Sequence, residues 1–423
     1  MFKNINCKNL PSLRRNIVYQ FLYELLIVFI PLFTIPYVSR VLGAENIGLF
    51  SYTYAVANYF VLFANLGIKN YGSRTIAMVR NNKEELNRNF SEILSIHIIF
   101  SIIVIFVYLV LLFFFVEDNL VIFLIQSIYV FAAVFDINWF FFGIEKFKLT
   151  VGRNTLVKIL SVFLVLVFVK TQTDLWIYAL ILALSVFVGQ SVVWFALKQY
   201  VSWRRPSWAN MKQHIRPLFV LFLPILALSL YKYMDKIMLG SISSNVQVGF
   251  YENAEKIINV PMSLIMAFGV VLMPRIANMV TSKDKGEVFK LIDMSMEAVM
   301  LLAIAISFGL AGISFVLAPI FFGYEFEECG ILIMGLAVTV PFMAFANVIR
   351  TQYLIPYKED KIFVVSLFLG AAVNLIVNII LIPYMAARGA VIGTIFAEII
   401  VCIYQSYFVR KKIFIKKYLL NTI

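Results

Sequence analysis

Long apolar stretches alternate with short polar ones along nearly the whole chain. Twelve apolar runs are long enough to cross a bilayer, at about 16–38, 46–68, 93–115, 119–142, 151–169, 175–197, 217–239, 254–274, 291–321, 330–349, 361–383 and 389–409. A helix rises about 1.5 Å per residue, so about 20 apolar residues span the hydrocarbon layer. Inside lipid every backbone N–H and C=O must be paired within the protein. The alternating ten-residue pattern of a membrane barrel is absent, so the runs are predicted to be helices. The expected fold class is an all-α integral membrane protein with about 12 transmembrane helices.

The pattern also repeats. Ile47-Gly48-Leu49-Phe50 returns as Val248-Gly249-Phe250-Tyr251, and Arg74 to Val79 returns as Arg275-Ile276-Ala277-Asn278-Met279-Val280. Gly48 to Arg74 and Gly249 to Arg275 are both 26 positions, and the copies are offset by 201 residues. Internal duplication is a hallmark of transporters, whose sites lie between the halves. The predicted organisation is a six-helix bundle over 1–200, a cytoplasmic linker over 201–216, and a second six-helix bundle with a basic tail over 217–423. Pro31 and Pro36 in the first run, Pro217 and Pro224 in the seventh, and Pro261 in the eighth are expected to interrupt their helices.

Composition agrees with a membrane protein. The 423 residues are 62% hydrophobic and only 14% charged, with mean hydropathy +0.91. The net charge of +13 raises the question of nucleic acid. Its distribution answers it. With the N-terminus placed in the cytoplasm, 29 of the 36 Lys and Arg fall in cytoplasmic segments and 4 on the opposite side. This is a positive-inside pattern. It puts both termini in the cytoplasm, supports an even helix count and leaves no basic surface that calls for nucleic acid. The first run is too long for the h-region of a cleavable signal and is read as a spanning helix. Trp203, Arg204, Arg205 and Trp208 in the linker suit the headgroup level. Cys7, Cys329 and Cys402 form no metal or redox motif.

Catalytic signatures are absent. There is no HExxH, Walker A loop or GxSxG, so no metalloprotease, ATPase or hydrolase chemistry is expected, and no cofactor. His97 lies inside the third run, where a packed histidine is the simpler reading. The chain is therefore not expected to be an enzyme.

The informative positions are polar residues within the runs. A Lys, Arg or Asp at a helix centre costs about 2.5–3.5 kcal/mol on the insertion scale, so such residues should face the bundle interior or a watery cavity. Lys232, Asp235 and Lys236 are spaced i, i+3, i+4 on one face of the seventh run and leave a net positive stripe. That stripe would suit an anionic substrate such as a phosphate or pyrophosphate. Arg40 lies just past the first run. Glu24, inside that run, is the candidate for coupling to H⁺ or Na⁺. Asp136, Asn374 and Asn378 are read as helix-to-helix hydrogen bonds.

Ser39-Arg40-Val41-Leu42-Gly43 with Glu45 and Gly48, then Asn65-Leu66-Gly67 and Tyr71-Gly72-Ser73-Arg74, resembles the N-terminal signature of the bacterial polysaccharide (O-antigen repeat unit) flippases. Asp235 to Gly240 followed by Val248-Gly249-Phe250-Tyr251 is similar to the start of that family's second half. The resemblance covers essentially the whole chain and places it in the multidrug, oligosaccharidyl-lipid and polysaccharide exporter superfamily. It implies two six-helix bundles in a V shape, with helices 1, 2, 7 and 8 lining a central cavity. It also implies the substrate: an oligosaccharide repeat unit on undecaprenyl pyrophosphate, turned from the cytoplasmic to the outer leaflet of the bacterial inner membrane by alternating access. A polysaccharide polymerase and a chain-length regulator would be partners. Arg40, Lys232, Asp235 and Lys236 would face the cavity, and Lys69, Arg74 and Arg275 are candidates for a cytoplasmic gate or headgroup contact. The basic–acidic pair that lipid II flippases carry in their first helix is Phe33-Thr34 here and is not carried over. Two alternatives stay open: a cation-coupled multidrug exporter of the same fold, and a membrane polysaccharide polymerase, against which the short outer loops count.

Overall fold

The computed structural model describes the backbone of residues 10–281 and 285–410, and the side chains from residue 32 onward within that range except 147, 148, 231, 281 and 285. Glu24 and Pro31 therefore lie outside the described side chains. Fourteen α-helices account for most of the described chain, and no strand occurs among the described residues. Among the described residues, eleven helices are long and apolar enough to cross a membrane. The first two predicted runs both lie on Leu10–Asn65, one on each side of a break at Gly43.

Helix α1 (Leu10–Asn65) contains one break, at Gly43, whose φ of 77° favours glycine. Pro36 lies within the helix, so the interruption expected at proline is found at glycine instead. The segment after the break opens with Ala44, whose N–H donates to the Glu325 carboxylate at 2.8 Å. An anion at a helix start satisfies a free N–H and complements the dipole. Helix α1 ends with Leu66 (φ 37°) and Gly67 (φ 71°) in left-handed geometry, which turns the chain into α2 (Ile68–Val79).

After α3 (Lys83–Phe115), the fourth run is split into α4 (Leu120–Val134) and α5 (Asn138–Gly143). Asp136 sits in the gap, where its Oδ1 accepts from the backbone N–H of Asn138 at 3.0 Å and from its amide at 2.7 Å. Then come α6 (Phe147–Phe168) and α7 (Leu175–Leu197). Helices α8 (Trp208–Ile242) and α9 (Asn245–Thr281) run unbroken through Pro217, Pro224, Pro261 and Pro274. Membrane helices tolerate proline where neighbouring groups take up the freed carbonyl. The remainder is α10 (Lys285–Phe322), α11 (Cys329–Ala337), α12 (Thr339–Val348), a π-helical turn (Ile349–Leu354), α13 (Asp360–Met385) and α14 (Ala387–Val409).

The chain forms two compact units. One comprises the residues up to Val41 with Val56–Ile225; the other comprises Leu42–Ala55 with the residues from Leu226 onward. The first is centred on an aromatic cluster of Phe90, Trp139, Phe140 and Phe141. Gly72 leaves room for the Trp139 indole, and Gly67 lies against the α8 backbone at Leu218 and Phe222. The segment 201–207 carries no helix and is stitched to the start of α3. The Ser202 N–H donates to Asn87 Oδ1 at 3.0 Å, and Arg204 donates to Glu84 at 2.8 Å.

In the second unit the two copies of the repeated motif meet. A Cβ on Gly48 would fall on the carbonyl of Asn245, and one on Gly249 would fall on the carbonyl of Ala44. Residues 44 and 48 plus the repeat offset of 201 give 245 and 249, so the contact is reciprocal. Small residues let helix backbones approach this closely where lipid supplies no hydrophobic drive for association. Gly48→Ala and Gly249→Ala should each lower the midpoint of thermal unfolding in detergent, with an overpacking cost of about 1–3 kcal/mol. Gly309→Ala, where a Cβ meets nothing within 4 Å, should leave it unchanged.

Candidate functional site

Lys232, Asp235 and Lys236 of α8 occupy three environments. Asp235 is 4% exposed. Its Oδ2 accepts from the Tyr251 hydroxyl at 2.6 Å and the Thr394 hydroxyl at 3.0 Å, and its Oδ1 accepts from the Asn378 amide at 2.6 Å. Asn378 donates also to Asn374 Oδ1 at 3.2 Å. Gly393 makes the site possible, because a Cβ there would collide with Asn378 Oδ1. Asn378 thus does bond across helices, whereas the bond between Asn374 and Asn378 lies within α13. Every donor to Asp235 is neutral, and no Lys or Arg among the described residues pairs with it. Oxygen atoms from Asp235, Asn374, Asn378 and Thr394 gather here. Such a set could hold a hard cation such as Na⁺, or the carboxylate could take a proton.

Lys236, the next residue, turns to α9. Its Nζ lies 2.5 Å from Glu252 and 2.8 Å from Glu255, and Lys256 reaches Glu252 at 3.1 Å. Two cations and two carboxylates cancel, so Lys236 brings no net positive charge. Lys232 is exposed and lies over the Tyr233 ring, 5.3 Å from its centroid. The net-positive stripe read from α8 alone is therefore balanced by its neighbour helix. Glu252, Glu255, Tyr251 and Thr394 were not anticipated. Glu252 and Glu255, at i and i+3 with Lys256 beside them, were the available signal.

The remaining candidates lie elsewhere. Arg40 is exposed near the Gly43 break, Lys69 is exposed at the start of α2, and Arg275 is exposed near the end of α9. Arg74 lines a cavity of about 650 Å³ in the first unit. Glu24 lies outside the described side chains. His97 is fully buried, and neither ring nitrogen bonds a group of the described residues.

An all-helical bundle with this many membrane-length helices and buried polar clusters defines a multi-span membrane transporter fold. A family model described as polysaccharide biosynthesis protein matches residues 13–280. The chain belongs to that family. It is 24% identical over 408 residues to a candidate O-antigen transporter of Shigella dysenteriae, covering 93% of this chain and 99% of that one. It is 26% identical over 409 residues to a candidate O-antigen transporter of Escherichia coli K12, covering 95% and 98%. Among solved structures, the lipid II flippase MurJ in an inward closed conformation superposes with a TM-score of 0.73 at 16% identity, covering 96% of this chain and 90% of that one. That likeness establishes the shared fold.

Removing one partner from a buried ion pair strands the other charge at about 3–5 kcal/mol. Lys236→Met should therefore sharply reduce the yield of monodisperse protein in detergent, while Lys232→Gln should leave it unchanged. Size-exclusion profiles of the two variants check this.

Proposed function

We propose that this protein flips lipid-linked oligosaccharide repeat units, carried on undecaprenyl pyrophosphate, from the cytoplasmic to the outer leaflet of the bacterial inner membrane. The units would serve O-antigen or capsular polysaccharide synthesis, ahead of a polysaccharide polymerase and chain-length regulator. The observation that carries this reading is full-length similarity to O-antigen transporter candidates within a polysaccharide biosynthesis family. The positive-inside count supports cytoplasmic termini. Transport would proceed by alternating access, with no covalent chemistry on the substrate.

Coupling to H⁺ or Na⁺ is part of the proposal, and Asp235 is its seat. A buried carboxylate with neutral partners is costly inside a membrane helix, and a bound proton or cation removes that cost. Asn374, Asn378 and Thr394 orient it. Each monovalent charge moved across the membrane would contribute about 2.3 kcal/mol per 100 mV.

The test is deletion and complementation, reading surface polysaccharide together with the leaflet of the lipid-linked unit. Loss of surface polymer with intact units held on the cytoplasmic side is expected. Units that reach the outer leaflet but stay single would point to a polymerase, and altered drug sensitivity alone would point to multidrug export. Asp235→Asn should insert normally yet lose the dependence of flipping on the ion gradient in proteoliposomes. Gradient dependence equal to wild type would remove Asp235 from the coupling role.

A further inference from the structure

The cavity of the first unit carries chemistry that the Asp235 site does not. Arg74 from α2, Arg88 from α3 and Arg216 from α8 all line it. No carboxylate is among the lining residues, and none of the three arginines forms an ion pair with a described residue. Thr75, Asn89 and Gln213 add neutral polar groups. Three guanidinium groups around one cavity repel one another unless an anion sits among them. Their planar forks match phosphate oxygens in bidentate geometry.

The wall is built rather than incidental. The Tyr71 hydroxyl lies 2.6 Å from His214 Nδ1, and His214 Nε2 lies 3.0 Å from Glu92 Oε2. One ring nitrogen of His214 thus pairs with the Tyr71 hydroxyl and the other with the Glu92 carboxylate. This chain joins α2, α3 and α8, the same three helices that supply the arginines. Its carboxylate, Glu92, is 1% exposed and is not among the residues that line the cavity. Tyr71 and Arg74 belong to one short stretch, Tyr71-Gly72-Ser73-Arg74, so its tyrosine braces the wall that its arginine lines.

The lining also has an apolar part, Met78, Pro217, Val220 and Leu221, with Met78 one turn beyond Arg74 and Val220 one turn beyond Arg216. Met78 is 69% exposed and Val220 58% exposed. A water-soluble phosphate has no use for that surface, whereas a lipid with a phosphate head does. We propose that this cavity is a docking site for the diphosphate headgroup of a polyprenyl lipid, with the arginines on the phosphates and the first isoprenoid units along Met78 and Val220. The inference rests on the flippase reading and adds to it a loading site within the first unit.

The experiment uses the full chain in phosphatidylcholine nanodiscs with a photo-crosslinking amino acid in place of Met78. The probe is radiolabelled undecaprenyl pyrophosphate, with undecaprenol as the phosphate-free control and inorganic pyrophosphate as competitor. Crosslinking to the pyrophosphate lipid but not to undecaprenol is expected. Its yield should fall about tenfold or more in Arg74→Gln/Arg216→Gln, and equally in Val220→Asp, a surface change that puts a carboxylate beside the arginines. It should also weaken as salt rises. Unchanged crosslinking in both variants would overturn the proposal. Full competition by inorganic pyrophosphate at the lipid's own concentration would overturn the lipid as the ligand and indicate a soluble phosphate. The readout is binding alone. A chain that crosslinks as expected but cannot complement a flippase deletion would sink the functional reading and leave this site standing, and the reverse result would do the opposite.

Discussion

The second unit depends on backbone-to-backbone contact at Gly48 and Gly249. No side chain can be inserted there without moving a carbonyl of the facing segment. In water such a contact could be replaced by an apolar interface. In lipid it cannot be replaced so easily, because the tails are as apolar as any side chain and close packing must supply the attraction. The contact fixes the segment 42–55 in a unit otherwise drawn from the second half of the sequence. Gly43 is what frees that segment to adopt its own direction, and Glu325 caps the new helix at Ala44.

That placement brings α9 against the residues that carry charge. Asp235 and Lys236 are neighbours in sequence, and successive residues on a helix point about 100° apart. Each then meets different partners: hydroxyls and amides for Asp235, carboxylates for Lys236. Tyr251 and Glu252, adjacent on α9, divide in the same way, one to each. Two adjacent pairs on facing helices thus build a neutral ion cluster and a carboxylate with only neutral donors, side by side.

Much of this was legible in the sequence. The apolar runs give the helices, because lipid imposes a length and forbids open backbone. The 201-residue offset between Gly48 and Gly249 marks the repeat, though not that the two copies touch. What the sequence hides is pairing across helices. The i, i+3, i+4 spacing of Lys232, Asp235 and Lys236 correctly reports positions on one helix, but net charge belongs to a packed environment, and Glu252 and Glu255 arrive from another helix. The prolines mislead for a related reason. A missing N–H breaks a helix in water more readily than in a bundle, where other groups take up the freed carbonyl. Asp136, read as a residue within a helix, instead occupies the gap between α4 and α5, because it can hold the Asn138 N–H that the gap exposes.

Positive charge accordingly has two fates in this protein. Within the second unit Lys236 is neutralised by Glu252 and Glu255 and serves packing. Within the first, Arg74, Arg88 and Arg216 line a cavity without a carboxylate among its lining residues, and Glu92 of α3 is paired with His214. A buried cation with two acids has nothing left to offer an anionic ligand, since a third acid would have to displace one already in place. Arginines at an open cavity keep their donors available for an anionic ligand. Under the proposed headgroup docking, the electrostatic argument for an anionic substrate rests not on the lysines of α8 but on the arginines that α2, α3 and the first turns of α8 hold together.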